Sequence, residues 1–413
     1  MSVAKPAPRI LILGAGFGGT YAARHLRRAA NRGEISVTLA DRRNHFLFTP
    51  LLHEVATGSL TPSSVAEPLR EIFAGDRIEV VRGEAEKIHL DSRVVTIGGR
   101  DFPYDYLVLA SGAQNTDCGV PGAAEHALPL KRLADALKIR RTVIGAFERL
   151  ASALAERPRL PRLAVVGGGA TGVELAAELA EFADAIGGRY YPHVRAVGPT
   201  ITLVDGGTTL LPSFPRSVSR AAERSLAEAG VAVCHGCKIA SVTAAGIERA
   251  AGGTVLADAV FWCAGVAPAL PPFEGVLEVS DGRVAVDAAL RATTRPEVFA
   301  LGDVAAVLGE DGRPLPMLAQ VAIQQAKSVA RNVLAAARGK AAAPFRYRSK
   351  GSLVSLGRHK AAGVVLGIPI SGPLAWFIWR NTYLFKFASW KKRLRIGFEW
   401  FIGLFFARET TEA

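Results

Sequence analysis

The chain has 413 residues, enough for two or three domains with cores of their own. Its net charge of +13 points to an anionic partner, a dinucleotide or an acidic lipid surface. The arginines are scattered and no recognition motif accompanies them, which argues against nucleic acid. Four cysteines make no disulfide framework in a chain this long, so a reducing compartment is expected.

The first apolar run, residues 10–13, reads as a β-strand and leads into a glycine loop rather than a secretory cleavage site. That loop, Gly14-Ala15-Gly16-Phe17-Gly18-Gly19, lies between the strand and a predicted helix from Thr20 to about Ala30. In this context GxGxxG has a mechanical meaning. Gly14 permits the tight turn, Gly16 lets a pyrophosphate approach the backbone, and Gly19 lets the helix pack on the sheet. The phosphates then meet the N–H groups of the helix start. Asp41, closing the next strand at residues 37–40, is placed to accept from ribose hydroxyls.

A linker around residues 156–161 precedes a second copy of the same plan. Residues 162–166 form a short buried strand, Gly167-Gly-Gly169-Ala-Thr-Gly172 the loop, and a helix starts at about Thr171. The acidic partner here is Asp205, farther along than usual because residues 182–199 lengthen the crossover. A carboxylate there repels a 2′-phosphate, so NADH is expected over NADPH. Two cradles in one chain imply two dinucleotides, one of them a flavin. Cys234-His-Gly-Cys237 has redox-motif spacing, but it follows a strand of this second segment and no further zinc ligands accompany it; no metal is expected.

Residues 298–303 supply another strand ending at Asp303, and an alanine-rich helix spans about 317–338. Its expected inner side carries Leu318, Val321, Ala322, Val329 and Val333, its outer side Lys327, Arg331 and Arg338. Residues 361–379 hold no charge, yet glycines and prolines break them, so a spanning helix is not expected. Beyond Leu374, Trp376, Trp379, Tyr383 and Phe387 recur at helical spacing. Lys391, Lys392, Arg393 and Arg395 follow, then an apolar stretch from Trp400 to Phe406. Aromatics and cations together suit the headgroup boundary, so this tail reads as an amphipathic helical anchor on an anionic lipid surface, with the aromatic face also available to a homodimer.

The paired loops, the segment ending at Asp303, Asp41 to Leu52, Leu318 to Gln325, Lys350-Gly-Ser-Leu and the aromatic tail together resemble type II NADH dehydrogenases. These are single-subunit, non-pumping NADH:quinone oxidoreductases of the two-dinucleotide flavoprotein superfamily. The resemblance implies an α/β fold with two Rossmann-like domains: an FAD-binding domain in residues 1–155 and 276–365, an NAD-binding domain in 156–275, and a membrane-anchoring segment in 366–413. It implies FAD in the first cradle, with Asp41, Arg42 and Ala85 at its adenosine end, and NADH in the second. Hydride would pass to FAD N5 and two electrons onward to a membrane quinone. Asp303 would accept from ribityl hydroxyls, Lys350 would lie near the flavin, and the helix opening at Ala319 and Gln320 would aim its positive end at the ring. Gln320 would also meet a quinone carbonyl, and Glu174 would act in NADH binding or proton transfer. The implied location is the cytoplasmic face of a bacterial cell membrane. A soluble ferredoxin-type reductase and a flavin-bearing NADH sensor stay open as rival readings.

Overall fold

The computed structural model describes residues 6–152, 154–194, 200–310, 312–357, 359–387, 389–403, 405, 406, 408, 410 and 411. Of the lengthened crossover, residues 195–199 therefore lie outside the described residues, as do residues 388, 404, 407, 409, 412 and 413 of the tail.

Two compact units share the chain. The first comprises residues 1–47, 67–114 and 266–348. Its sheet runs in the order Arg291–Ala292, Arg295–Ala300, Tyr106–Leu109, Arg9–Leu13, Ser36–Asp41, Ile78–Arg82. All neighbours are parallel except the first pair. The strands Arg9–Leu13 and Tyr106–Leu109 are apolar at nearly every position, because a parallel sheet is covered on both faces. Helix Phe17–Asn31 packs along helix Ala319–Ala337 on this sheet. Within the latter, Val321, Ala322, Val329 and Val333 are buried while Lys327, Arg331 and Arg338 are exposed, as the periodicity predicts; Leu318, its N-cap, is 38% exposed.

The second unit comprises residues 48–66, 115–265 and 349–413. Its parallel sheet runs Ala127–Pro129, Ala259–Trp262, Leu163–Val166, Ile201–Val204, Val231–Cys234. The loop-bearing strand again lies between the strand that follows it in the plan and the strand that closes the fold. Helix Ala170–Tyr190 runs 21 residues, so the first part of the lengthened crossover is a longer helix. Strands Gly351–Ser355, Ala361–Val365 and Ile368–Gly372 form an antiparallel sheet, followed by helices Pro373–Leu384 and Trp390–Ile402. The uncharged stretch is thus a hairpin and a short helix. Among the described residues no helix is long and apolar enough to cross a membrane.

The aromatic stripe of the tail faces inward, not outward to lipid. Trp379 and Phe387 are each 1% exposed, Phe387 stacks on Phe48 at 4.2 Å, and Tyr383 meets the same ring edge-on. Helical spacing shows that four side chains share a face but not which face is covered. The helix is apolar nearly all round, and its other side leaves Leu374 and Phe377 exposed.

Candidate functional site: two glycine cradles and a buried acid cluster

The two cradles are geometric repeats. Gly14 has φ +101° and Gly167 φ +113°, so each turn needs a residue without a side chain. A Cβ on Gly14 would lie 2.4 Å from the Ala110 carbonyl oxygen, and one on Gly167 2.8 Å from that of Cys263. On Gly19 and Gly172 it would lie 1.7 and 1.9 Å from the carbonyl oxygens of Gly14 and Gly167. Those contacts let helix and strand pack closely. Gly16 and Gly169 are the opposite: a Cβ there meets nothing within 4 Å. The middle glycine of each loop faces open space, where a diphosphate can approach the backbone. The helices begin at Phe17 and Ala170, so Phe17, Gly18 and Gly19 form the first turn, three residues before the predicted start. First-turn N–H groups and the positive end of the dipole thus line the cradle. Both sites fit a dinucleotide.

The acidic strand ends brace the loops. Asp41 accepts from the backbone N–H of Ala15 at 2.7 Å and of Arg43 at 2.8 Å. Asp205 accepts from Gly168 at 2.9 Å and Gly207 at 3.2 Å. Each carboxylate holds the second residue of its loop, and an ionised carboxylate has about four acceptor sites, which leaves room for ribose hydroxyls. A Cβ on Gly168 would lie 2.7 Å from Asp205 Cγ, so Asp205 approaches this closely only against glycine. A cavity of about 200 Å³ opens beside the first cradle, lined by Gly14, Asp41, Arg42, Arg43, Glu84 and Ala85. Arg42 and Ala85 are thus brought together on one cavity wall beside the first cradle.

Asp303 lies within the 3₁₀ turn Gly302–Val304 and so is not the N-cap of a helix. The Gly302 N–H donates to Gln325 Oε1 at 2.6 Å, tying that turn to helix Ala319–Ala337. Ala319 and Gln320 are the first two residues of this helix. Lys350 belongs to the second unit and is exposed, one residue before strand Gly351–Ser355.

Glu174 is the fifth residue of its helix and is buried, not exposed on the first turn, so the helix dipole does not explain it. Its Oε1 accepts from the Ser355 N–H at 3.1 Å, and its Oε2 lies 3.8 Å from His53 Nδ1. Burial pushes this carboxyl up to about 8, against the Ser355 bond and with the Glu54 and Glu178 charges adding to the shift. Burial pushes His53 down to about 4, which the Glu178 charge only partly offsets. At neutral pH their contact therefore joins two neutral groups. Glu54 is raised to about 7, by burial first and the Glu178 charge second; the Trp400 indole N–H donates to its Oε2 at 2.6 Å. Glu178 is held below its usual range despite burial, chiefly by Arg408, whose Nη1 is 3.0 Å away.

His53, Glu54, Glu178 and Arg408 were not singled out from the sequence. Glu174 and Glu178, four apart in the otherwise apolar stretch 173–180, were the available signal. The cysteine pair is disulfide-bonded, with Cα atoms 5.8 Å apart. It sits beside the second cradle: the Asp205 N–H donates to the Cys234 carbonyl and the Cys237 N–H to that of Asp205. No cluster able to hold a metal occurs among the described residues.

A parallel sheet carrying a glycine cradle and an acidic strand end, built twice in one chain, defines an oxidoreductase of the two-dinucleotide class. A family model described as pyridine nucleotide-disulphide oxidoreductase matches residues 8–326, and one described as the NDH2 C-terminal domain matches residues 349–409. The type II NADH:quinone oxidoreductase of Mycobacterium tuberculosis is 33% identical over 411 residues, covering 95% of this chain and 87% of its own. That of Haemophilus influenzae is 30% identical over 409 residues, covering 91% and 92%. The structure of NDH2 from Plasmodium falciparum in complex with NADH shares the fold, with a TM-score of 0.85 at 21% identity over 98% of this chain and 99% of that one. The chain belongs to the type II NADH:quinone oxidoreductase family.

Proposed function

We propose that this protein oxidises NADH and reduces a membrane quinone, with FAD in the first cradle and NADH in the second. The observation that carries the reading is the repeated cradle, each with an open middle glycine and an acidic strand end. FAD, when bound, supplies the two-electron carrier between nicotinamide and quinone.

The chain's own residues do the rest. Gly14, Gly16 and Gly19 and the helix start at Phe17 receive one diphosphate; Gly167, Gly169 and Gly172 receive the other. Asp41, Arg42 and Ala85 address the adenosine of the first dinucleotide. Asp205 accepts from the NADH ribose and repels a 2′-phosphate. Asp303 accepts from ribityl hydroxyls, and the N-terminus of helix Ala319–Ala337 favours negative charge near Ala319 and Gln320. Gln320 donates to a quinone carbonyl. Glu174, protonated at neutral pH, holds a proton for the reaction. Lys350 keeps the flavin-side role that the resemblance implies.

Exposed Phe385, Trp390, Leu394, Phe398, Phe401 and Phe405, with Lys391 and Arg395 among them, support docking on an anionic bilayer, where the quinone is dissolved. The bilayer is assigned to the cytoplasmic face of a bacterial cell membrane, where NADH is available. The aromatic face expected to serve a homodimer has Trp379 and Phe387 buried, so self-association would use these exposed residues instead, and sedimentation with and without liposomes separates it from lipid docking.

The test is direct: purify the protein, record its visible spectrum, and add NADH with and without a short-chain quinone. Flavin absorbance that bleaches with NADH and returns with quinone is expected. No flavin absorbance, or NADH oxidation indifferent to quinone, ends the reading.

A further inference from the structure

A cavity of about 270 Å³ lies within the second unit, walled by three tryptophans and by charged groups from five chain segments. Glu54 comes from the short helix Leu52–Ala56, Glu178 and Glu181 from helix Ala170–Tyr190, Arg380 from helix Pro373–Leu384, and Arg408 from the tail. Glu399 and Trp400 of helix Trp390–Ile402 complete the wall, and Trp400 donates to Glu54. A cavity this polar and this large holds several waters at about 30 Å³ each. Arg408 bridges Glu178 at 3.0 Å and Glu181 at 2.7 Å, and Arg380 stacks between Trp376 and Trp400 at 4.1 and 4.7 Å. Three of the four cavity glutamates are thus matched by cations, Glu178 and Glu181 by Arg408 and Glu399 by Arg395 at 2.9 Å. Glu54 is left with an indole.

Next to Glu54 on helix Leu52–Ala56, His53 is 3% exposed, and its Nε2 has no hydrogen-bond partner. Its other nitrogen faces Glu174 at 3.8 Å, just beyond a direct hydrogen bond, a gap that a small rotation or one water closes. A buried imidazole with one nitrogen toward an acid and the other unpartnered can take a proton on one side as it releases one on the other.

The reaction read above, on which this inference rests, requires such a path. Hydride leaving NADH carries two electrons and one proton, and a quinone becomes a quinol by gaining two electrons and two protons. One proton per turnover must come from water. We propose that it enters through this cavity, is taken up by Glu54, and reaches Glu174 within the buried cluster that these two carboxyls form with His53. Glu54 and His53 are then relay residues that act through Glu174.

Glu54 is suited to the task because it exchanges its proton near neutrality, raised by burial and by Glu178 against the pull of Arg380, Trp400 and Arg408. His53 stays neutral there, so the proton crosses without leaving a stable imidazolium.

The experiment compares the flavin-loaded parent with Glu54→Gln and Glu54→Asp. Glutamine keeps an oxygen acceptor for Trp400, so the cavity wall is retained. In stopped-flow assays with NADH and a short-chain quinone, Glu54→Gln is expected to slow the quinone-dependent step at least tenfold at pH 7.5 and to leave NADH-driven flavin bleaching unchanged. Formate, a weak acid small enough for the cavity, is expected to restore much of the rate, and Glu54→Asp to keep most of it. Independently of turnover, infrared titration of the parent holoenzyme is expected to show, besides the Glu174 carboxyl lost near pH 8, a second protonated-carboxyl band lost near pH 7 that is absent in Glu54→Gln. A Glu54→Gln enzyme turning over like the parent across pH 6–9 overturns the proposal. So does one that is slow, insensitive to formate, and still shows the band lost near pH 7. A parent without quinone-dependent NADH oxidation fails the functional reading itself, an outcome separate from any difference between parent and variant.

Discussion

At the scale of single residues, space and charge decide function at the cradles. Asp205 reaches the loop because position 168 has no side chain; alanine would put a Cβ 2.7 Å from its Cγ. Gly168→Ala should therefore raise the KM for NADH about tenfold, equivalent to about 1.4 kcal/mol of binding, while the flavin spectrum is unchanged. Steady-state kinetics at saturating quinone check this. Asp205→Ser keeps an oxygen for the Gly168 N–H but removes the negative charge. NADPH use should improve by tenfold or more relative to NADH, and an unchanged preference would remove Asp205 from cofactor selection. Glu174 links burial to pH. Its folded pKa of about 8 lies above the usual carboxyl range, so its contribution to stability is full below about 4.5 and is lost as pH rises through about 8. His53 has the opposite window: lowered to about 4, it contributes above about 6.5 and loses that contribution as pH falls through 4. Thermal scans at pH 6 and pH 9 should show Glu174→Gln losing about 5 °C less than the parent across that interval.

At the scale of elements, the tail helices divide their apolar residues between two tasks. Trp379 packs inward against Tyr383 at 5.0 Å and Trp400 at 6.2 Å, and truncating a buried aromatic of this size costs about 3–5 kcal/mol. Phe377, on the same helix, is 61% exposed, and Phe377→Ser should change stability by no more than about 0.5 kcal/mol. Denaturant unfolding of Trp379→Ala and Phe377→Ser separates the two roles. The tail is further held by Arg408, whose guanidinium answers the buried Glu178 carboxylate and the half-buried Glu181. Removing one member of a buried ion pair strands the other, so Arg408→Ala should lose about 3–5 kcal/mol. That penalty is specific to a buried pair. The exposed Arg9–Asp105 pair, with both side chains more than 40% exposed, should give less than about 1 kcal/mol when broken.

At the scale of the whole molecule, the basic charge and the outward aromatics of the tail point to an anionic bilayer. In flotation assays with acidic liposomes the protein should bind at low salt and bind less as salt rises, since screening weakens the cationic part first. Phe398→Ser combined with Phe401→Ser should release it even at low salt, with turnover on a water-soluble quinone retained. Binding equal on neutral and acidic liposomes would leave the charge without this role.

The cradles were legible in the sequence because their requirements are local. A tight turn with positive φ, a backbone left bare and a helix lying close on a strand each demand glycine within six residues. Asp41 and Asp205 follow at strand ends by the same short-range logic, and the parallel strands are marked by continuous apolar runs. The acid cluster could not be read that way, since His53, Glu54, Glu174, Glu178 and Arg408 are separated by up to 355 positions and acquire their protonation states only from shared burial. The aromatic stripe shows the same limit. Spacing placed Trp379, Tyr383 and Phe387 on one face, but only packing against Phe48 turned that face inward. Local backbone geometry is written in consecutive residues; desolvation and the choice of buried face depend on what the rest of the chain brings alongside.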